Sequence, residues 1–331
     1  MPHDAPAVSP LPALAARKVT SAIAPFVGLL TVVIIFFIIP PHHGLNLDHV
    51  RTIAVHTVIV GIAGLGATLV IASGGIDLSV GSVIALCSVI LALLLRDGWP
   101  LVKAILVAVE FGALCGLYNG LLITLLRLPP FIVTLGTLGF FRGVAKWMAG
   151  SRTVSAPTHG LELLTQPSPA AKWMLLAPAV WIMLALAAAM AFLLHRTIIG
   201  RHALAIGSNE ATARLCGVRV GPTRVFIYVI AGALVGVAGV LQFARLQSGD
   251  PTVAVGLELD VIAAVVIGGA SLSGGTGSMA GTLAGALMMA YLRNRCVVFG
   301  WPNWVQEVIV GHIIILAVAL DQWRSRRQRA Y

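Results

Sequence analysis

Residues 53–82 read IAVHTVIVGIAGLGATLVIASGGIDLSVGS, and this stretch sets the class of fold. Its first part, 53–72, carries no Lys, Arg, Asp or Glu. An α-helix needs about 20 such residues to cross roughly 30 Å of hydrocarbon. The next residues, GGIDLSVGS, bring glycines and an aspartate before apolar residues resume. The stretch therefore predicts a membrane-spanning helix, an interruption, and a second apolar helix.

The composition of the whole chain agrees with a membrane protein. Among 331 residues, 58% are hydrophobic and 10% are charged, with a mean hydropathy of +0.96. Soluble domains have about 45–50% apolar and about 25% charged residues. These figures exclude a soluble globular domain, a disordered chain and a disulfide scaffold. The net charge of +10 is assigned to loops and the tail, so no nucleic-acid partner is expected. The four cysteines have no paired or metal-ligand spacing and are interpreted as free thiols.

Charge-poor runs along the chain predict an all-α polytopic membrane protein with about ten transmembrane helices. We expect an N-terminal tail over 1–20, a transmembrane domain over 21–322 and a basic tail over 323–331. The region between Asp260 and Arg293 has no charge and is divided in two at 268–281. The other predicted spans are 21–39, 53–72, 80–95, 104–126, 131–149, 174–194, 225–244 and 304–320. Small-residue faces that favour close helix packing occur as Gly112-x3-Gly116-x3-Gly120, Gly232-x3-Gly236 and Gly277-x3-Gly281-x3-Gly285.

The orientation follows from the distribution of Lys and Arg. Loops on the cytoplasmic side of a membrane carry an excess of these residues. The loop 195–224 holds five arginines and the tail 323–331 holds four, and the span count places both on one side. We therefore expect both termini and this loop to be cytoplasmic.

The glycine-containing motif that interrupts the first apolar stretch recurs later in the chain. This repeat suggests two related halves with glycine-interrupted helices. GGIDLSVG at 74–81 recurs loosely as GGASLSGG at 268–275. Interrupted helices in two halves of a chain are typical of transport sites. Two capped loops at the membrane surface are the alternative. The span count puts both copies on one side, as in a parallel repeat, whereas an error of one span would make the repeat inverted. The glycines assigned to the breaks are Gly74, Gly75, Gly268, Gly269, Gly274 and Gly275.

Polar residues in or beside the spans are candidates to line a solute path, because charges within a bilayer are costly. Arg142 and Glu110 lie on consecutive spans and could pair, whereas Glu258 and Asp260 at a span end could be solvated or in the path. The candidates for the translocation path are Asp77, Ser79, Ser82, Asn119, Arg142, Ser271 and Ser273. No phosphate-binding loop is present, and a wet turn explains His42, His43 and His49 better than a metal site. Neither catalytic residues nor a metal site is predicted.

The loop 195–224 contains the pattern of a short capped helix. Ser208 or Asn209 can cap its first N–H groups, Glu210 suits its positive end, and Gly217 allows a left-handed stop. So short a helix needs something to pack against. It is interpreted as a docking element, and the alternative is a surface helix that lies on its own bundle.

Five stretches together resemble the ribose-type sugar permeases, the membrane subunits of bacterial ATP-binding-cassette importers for monosaccharides. They are GGIDLSVGS (74–82), LPPFIVTLG (128–136), FRGV (141–144), GSNEATARLCGV (207–218) and LELDVIAAVVIGGASLSGGTGS (257–278). The resemblance implies a multi-pass protein of the bacterial inner membrane that imports a monosaccharide by alternating access. It implies a cytoplasmic ATPase that binds the ATP and Mg²⁺, so this chain needs no cofactor and is not an enzyme. It also implies a periplasmic sugar-binding protein and a second permease copy or a paralogue.

The same resemblance assigns ATPase coupling to the 207–218 stretch. The residues concerned are Ser208, Asn209, Glu210, Ala211, Arg214, Leu215 and Gly217. Solute specificity does not transfer, because Glu110 and the run Arg293-Asn294-Arg295 depart from the family's pattern. The main alternative is a secondary transporter driven by an ion gradient, with Glu110, Asp77 or Glu307 as the proton carrier. A second alternative is an intramembrane enzyme that uses the histidines at 42–49.

Overall fold

The structure is a computed structural model that describes Leu30, Ile34 and residues 46–169 and 174–329. The predicted tail 1–20 and nearly all of the predicted span 21–39 lie outside the described residues. His42 and His43 lie outside them as well, so the histidine cluster is not described as a whole.

Over the described ranges the chain forms eleven α-helices and a single pair of two-residue strands. The first four helices are α1 Leu47–Ala72, α2 Val80–Arg96, α3 Leu101–Leu125 and α4 Pro130–Met148. Strand β1 Val154–Ser155 and a 3₁₀ helix Leu161–Leu164 follow, and then α5 Pro178–Arg196, α6 Ile198–Ser208, α7 Glu210–Leu215 and α8 Val220–Leu246. The chain ends with β2 Ser248–Gly249, α9 Leu257–Ile267, α10 Met279–Val298 and α11 Asn303–Arg329. The strands β1 and β2 pair antiparallel.

Helix lengths confirm an all-α polytopic membrane protein. Among the described residues, α1, α3, α5 and α8 are long and apolar enough to cross a bilayer, and α2 is a shorter apolar helix. The count of ten spans stays a prediction. The interruption predicted after Asp260 is confirmed, because α9 ends at Ile267 and α10 begins at Met279. A full span over α9 is wrong: its 11 residues extend only about 16 Å, because the helix starts after the irregular segment 250–256.

The helices form two halves of opposite direction around α1 and α8. These two helices contact each other antiparallel: a Cβ added to Gly66 would lie 3.0 Å from Ala231 Cα, and one added to Gly75 would lie 2.8 Å from Tyr228 Oη. Helix α3 packs along α8, and α10 packs along α1 in the equivalent way. Likewise, α2 contacts α8 and α9 contacts α1.

This arrangement is an inverted repeat, so the parallel repeat suggested by the sequence echo is wrong. The segment that follows α1 is 73–79, and its structural counterpart is 247–256, which follows α8. The glycines at 268–275 instead separate α9 from α10. Both turns contain left-handed glycines, but at different places in the motif: Gly74 (φ +81°) in the first turn and Gly269, Gly274 and Gly275 in the second.

Glycines bring α3 and α8 into backbone contact, as the small-residue faces predict. A Cβ added to Gly112 would lie 2.5 Å from the Gly232 carbonyl oxygen and 2.7 Å from Gly236 Cα. One added to Gly116 would overlap the Tyr228 carbonyl oxygen. In lipid, helices associate through such close packing rather than through hydrophobic burial. The α3–α8 contact therefore depends on having no side chain at these positions.

Replacing Gly116 by Ala tests this contact. The new methyl group meets backbone atoms of α8 that have no room to move, so we expect Gly116→Ala to destabilise the protein by about 1–3 kcal/mol. Gly143→Ala in α4 is the matched control, because a Cβ there meets nothing within 4 Å. Its stability should be unchanged or slightly higher. Thermal unfolding of both purified variants in detergent measures the difference, and equal unfolding temperatures would contradict the proposed packing.

Candidate functional site

The short helix predicted in the loop 195–224 is present as α7, and Asn209 caps it. Asn209 has an extended backbone, and its side-chain oxygen accepts a hydrogen bond from the Thr212 N–H (2.9 Å). At the other end, Gly217 adopts the predicted left-handed conformation (φ +83°), and its N–H donates to the Arg214 carbonyl. Ser208 is the last residue of α6 rather than the cap. Both predicted ends of the helix are therefore confirmed.

Glu210 joins α7 to the start of α8. Its carboxylate accepts from Arg214 Nη2 at 2.6 Å, within α7, and from Arg224 Nη2 at 2.7 Å, on α8. Hydrogen bonds from Arg214 first, and then from Arg224, lower the pKa of the Glu210 carboxyl below its usual range. Two guanidinium groups therefore hold this carboxylate in its charged form and fix the position of α7.

One face of α7 is packed on the protein and the other is exposed. Ala213 is buried in a small apolar cluster with Ile206 and Val220. Leu215 is 89% exposed, and Ala211 and Arg214 are exposed beside it. The packed face fits a helix that lies on its own bundle, and the exposed face leaves room for a partner, so the docking role stays a prediction. The exposed Leu215 side chain leaves an apolar group on this face that another protein could cover.

Residue Gly207, just before α7, contacts both glycine-rich breaks. The Gly275 N–H donates to the Ala72 carbonyl (2.9 Å), which joins the second break to the end of α1. A Cβ on Gly207 would overlap the Ala72 carbonyl oxygen and lie 2.5 Å from Gly275 N. One on Gly274 would lie 2.7 Å from the Gly207 carbonyl oxygen. Since these are backbone contacts between three segments, the start of α7 cannot shift without moving at least one break.

The first break is a non-helical segment inside the bundle. Asp77 Oδ1 accepts from the Ser79 N–H (2.8 Å) and hydroxyl (2.6 Å), and the Ser79 hydroxyl accepts from Asn119 Nδ2 (2.9 Å). The Thr134 hydroxyl donates to the Ile76 carbonyl at 3.0 Å. Asn119 lies about two turns, roughly 10 Å, from the end of α3. The structure thus brings Asp77, Ser79 and Asn119 together as one polar cluster, in which Ser79 and Asn119 are buried and Asp77 is half-buried.

The other predicted path residues lie elsewhere. Ser82 is buried one turn into α2, and its hydroxyl has no hydrogen-bond partner among the described residues. Ser271 and Ser273 lie in the second break, where the Ser271 hydroxyl accepts from the Ser273 N–H. Arg142 donates to the carbonyls of Pro251 (2.9 Å) and Val253 (2.6 Å) in the segment after β2. A role in translocation stays a prediction for every residue of this set.

The expected pair of Glu110 with Arg142 is wrong. Glu110 is exposed on α3, whereas the Arg142 guanidinium is occupied by carbonyls of the irregular segment 250–256. That segment has carbonyls without helical partners, and a guanidinium with five donors satisfies two of them at once.

Sequence reasoning missed two parts of this site. Helix α6 was not predicted, although Thr197 caps it by accepting from the Gly200 N–H and its buried positions, Ala203 and Ile206, have helical spacing. Tyr228 of α8 packs on Gly75. Nothing in the sequence distinguishes this tyrosine from the other apolar residues of its span. Among the described residues, no group of three His, Cys, Asp or Glu side chains could hold a metal ion.

The helical bundle, its inverted halves and the projecting α7 define a polytopic membrane permease component. The family described as "Branched-chain amino acid transport system / permease component" matches residues 50–318. The chain is 38% identical to the ribose import permease protein of Bacillus subtilis (93% of this chain, 94% of that protein). It is 35% identical to the ribose import permease protein of Escherichia coli K12 (89% and 92%). It is also 36% identical to the autoinducer 2 import system permease protein of Klebsiella pneumoniae (81% and 78%).

The chain belongs to this permease family, which confirms the resemblance to the ribose-type sugar permeases. It is a transport component and not an enzyme, so the alternative of an intramembrane enzyme is wrong. No solved structure matches the chain.

Replacing Ser79 by Ala tests the polar cluster. The change removes partners from both Asp77 and Asn119 and leaves their polar atoms buried, so we expect a loss of about 1–3 kcal/mol in stability. Ser82→Ala is the matched control, because the Ser82 hydroxyl is buried without a hydrogen bond to another described residue. That variant should be as stable as the parent or more so. Chemical unfolding in detergent measures both, and equal losses would refute the assigned hydrogen bonds.

Proposed function

We propose that the chain is the membrane-spanning subunit of an ATP-binding-cassette importer that passes a monosaccharide inward. The observation that carries the proposal is α7, a capped helix with Leu215 exposed, together with Gly207 at the end of the preceding α6, which lies in backbone contact with both breaks. An ATPase that seats on Leu215, Arg214 and Ala211 could move this helix. The names of the relatives, ribose and autoinducer 2 import permeases, support a sugar-type solute.

The proposed partners follow from this assignment. A cytoplasmic ATPase binds ATP and Mg²⁺ and contacts α7, and a periplasmic sugar-binding protein delivers the solute at the opposite end. A second permease copy or a paralogue completes the membrane unit in the bacterial inner membrane. In this orientation the α7 end and both termini are cytoplasmic, as the arginines of 195–224 favour.

We infer that the transport movement passes through the glycine contacts. When the ATPase moves α7, Gly207 transmits the displacement to Ala72 at the end of α1 and to Gly274 and Gly275. Helix α1 ends at the first break and α10 begins after the second, so both helices would move with the breaks. Tilting of these helices would open a path between them to one side of the membrane and then to the other. Asp77, Ser79 and Asn119 sit beside the first break, where such a movement would expose their hydrogen-bonding groups to solute. Because a ligand shifts an equilibrium only by its difference in affinity for the two states, the path itself needs to bind the solute only weakly.

The energy source separates this proposal from a proton-coupled secondary transporter, for which the exposed carboxylate of Glu110 is the motivating observation. We expect uptake of labelled D-ribose by native membrane vesicles to stop when ATP is depleted and to persist when an ionophore collapses the proton gradient. The sugar-binding protein is supplied in excess in both arms. The opposite pattern would establish the secondary transporter and remove the importer assignment.

Leu215→Asp tests the docking face of α7. Leu215 makes almost no contact within the chain, so the variant should fold and insert normally, whereas a buried carboxylate in the ATPase contact should abolish uptake. The matched control is Leu163→Asp, the same change at an exposed leucine in the 3₁₀ helix near the opposite end. We expect ATP-driven uptake and co-purification of the ATPase to be lost only in Leu215→Asp. Normal uptake by this variant would exclude α7 as the contact.

A further inference from the structure

A polar cavity opens at the end of the bundle opposite α7, and no part of the proposed coupling uses it. It has a volume of about 540 Å³ and lies among α1, α8, α9, α10 and α11. This volume is within the range of about 300–1,000 Å³ that small-molecule sites occupy. The polar side chains that define it are His56, Gln242, Arg245, Asp260, Arg293 and Gln306. We call this space the outer cavity.

An ion pair with an unused acceptor lies in the wall of the outer cavity. Asp260 is 2% exposed, and its Oδ2 binds Arg293 Nη2 at 2.6 Å. Its other oxygen, Oδ1, and the Nε of Arg293 have no hydrogen-bond partner among the described residues. A buried carboxylate oxygen without a partner is costly, and the Arg293 side chain, 44% exposed, is the part of the pair that a ligand in the cavity can reach.

Two buried amides add to this capacity. Gln242 of α8 and Gln306 of α11 are buried, and neither side chain makes a hydrogen bond to another described residue. An amide offers donors and an acceptor side by side, which matches adjacent hydroxyl groups on a sugar ring. The carboxylate, the guanidinium and the amides come from four different helices, so they surround the space rather than line one side.

The charge of the outer cavity limits which solute it can take. Arg245 and Arg293 face it against the single carboxylate of Asp260, and His56 lies next to Arg245. Both His56 and Arg245 also line an adjoining cavity of about 240 Å³, to which Glu162 adds a carboxylate, whereas the outer cavity itself has Asp260 as its one carboxylate among the described residues. An excess of positive charge disfavours a cationic solute and accepts a neutral or an anionic one.

We propose that the outer cavity is a solute-binding site within one protomer, specific for a monosaccharide-sized molecule with adjacent hydroxyl groups and no positive charge. This assignment rests on the proposed function, because it makes the cavity the first binding site that the imported sugar reaches in the permease. It also gives a role to Arg293, a departure from the family's sequence pattern: it pairs with Asp260 in the wall of the site.

Protection of an introduced thiol tests the site without any partner protein. Thr52→Cys places a thiol at the cavity wall in a Cys216→Ser background, in which the three remaining cysteines are buried. In the purified permease in lipid nanodiscs, D-ribose or D-ribonate should slow maleimide labelling of this thiol several-fold, whereas cationic D-glucosamine should not. Ser155→Cys, exposed on β1, is the control and should label at one rate throughout.

A second variant tests the hydrogen bonds. Gln242→Leu keeps the volume of the side chain and removes no hydrogen bond to a described residue, so the fold should persist. The sugar concentration that gives half-maximal protection should rise roughly fivefold. Absence of protection by both ribose and ribonate overturns the site, and equal protection by glucosamine overturns its charge selectivity. The labelling experiment needs neither ATP nor a partner protein. An absence of ATP-driven uptake would therefore refute the proposed function, and thiol protection by the sugar would still test the binding site independently.

Discussion

Backbone N–H and carbonyl groups inside a bilayer must find partners within the protein, and this constraint shapes the whole bundle. Two segments leave the helical conformation, 73–79 after α1 and 247–256 after α8. In the first, Thr134 donates to the Ile76 carbonyl, and in the second Arg142 donates to two carbonyls. Side chains of α4 thus bind backbone carbonyls in both unwound segments.

Glycine contacts connect this enclosed interior to the surface that faces a partner. Gly207 lies against the end of α1 and against the second break, and α7 begins three residues later with Glu210, which is held by two arginines. The projecting helix α7 is therefore attached, through Gly207, to the two non-helical breaks of the bundle. Since packed interiors transmit displacement, we expect a movement of α7 to reach both the polar cluster and the helices around the outer cavity.

The sequence predicted the all-α class, the interruptions and the capped helix, because each depends on local rules: charge-free length, glycine in left-handed turns, and Asn before Glu at a helix start. It did not predict which polar residues meet. Asp77 and Asn119 are joined and Arg142 is not, although all three are polar residues near spans. The direction of the repeat was also missed, because inversion is a property of helix packing and leaves no short motif. Arg293 and Asp260, 33 positions apart, pair only because α9 and α10 pack antiparallel.

The native thiol of Cys216, exposed at the end of α7, offers the most direct test of the central claim that this helix receives work from a separate ATPase. In native membranes, a reagent that joins a thiol to a nearby amine should cross-link the chain to a nucleotide-hydrolysing subunit. The product should disappear in Cys216→Ser. If the thiol reacts fully with the reagent and no nucleotide-hydrolysing subunit is recovered with the chain, the account is contradicted.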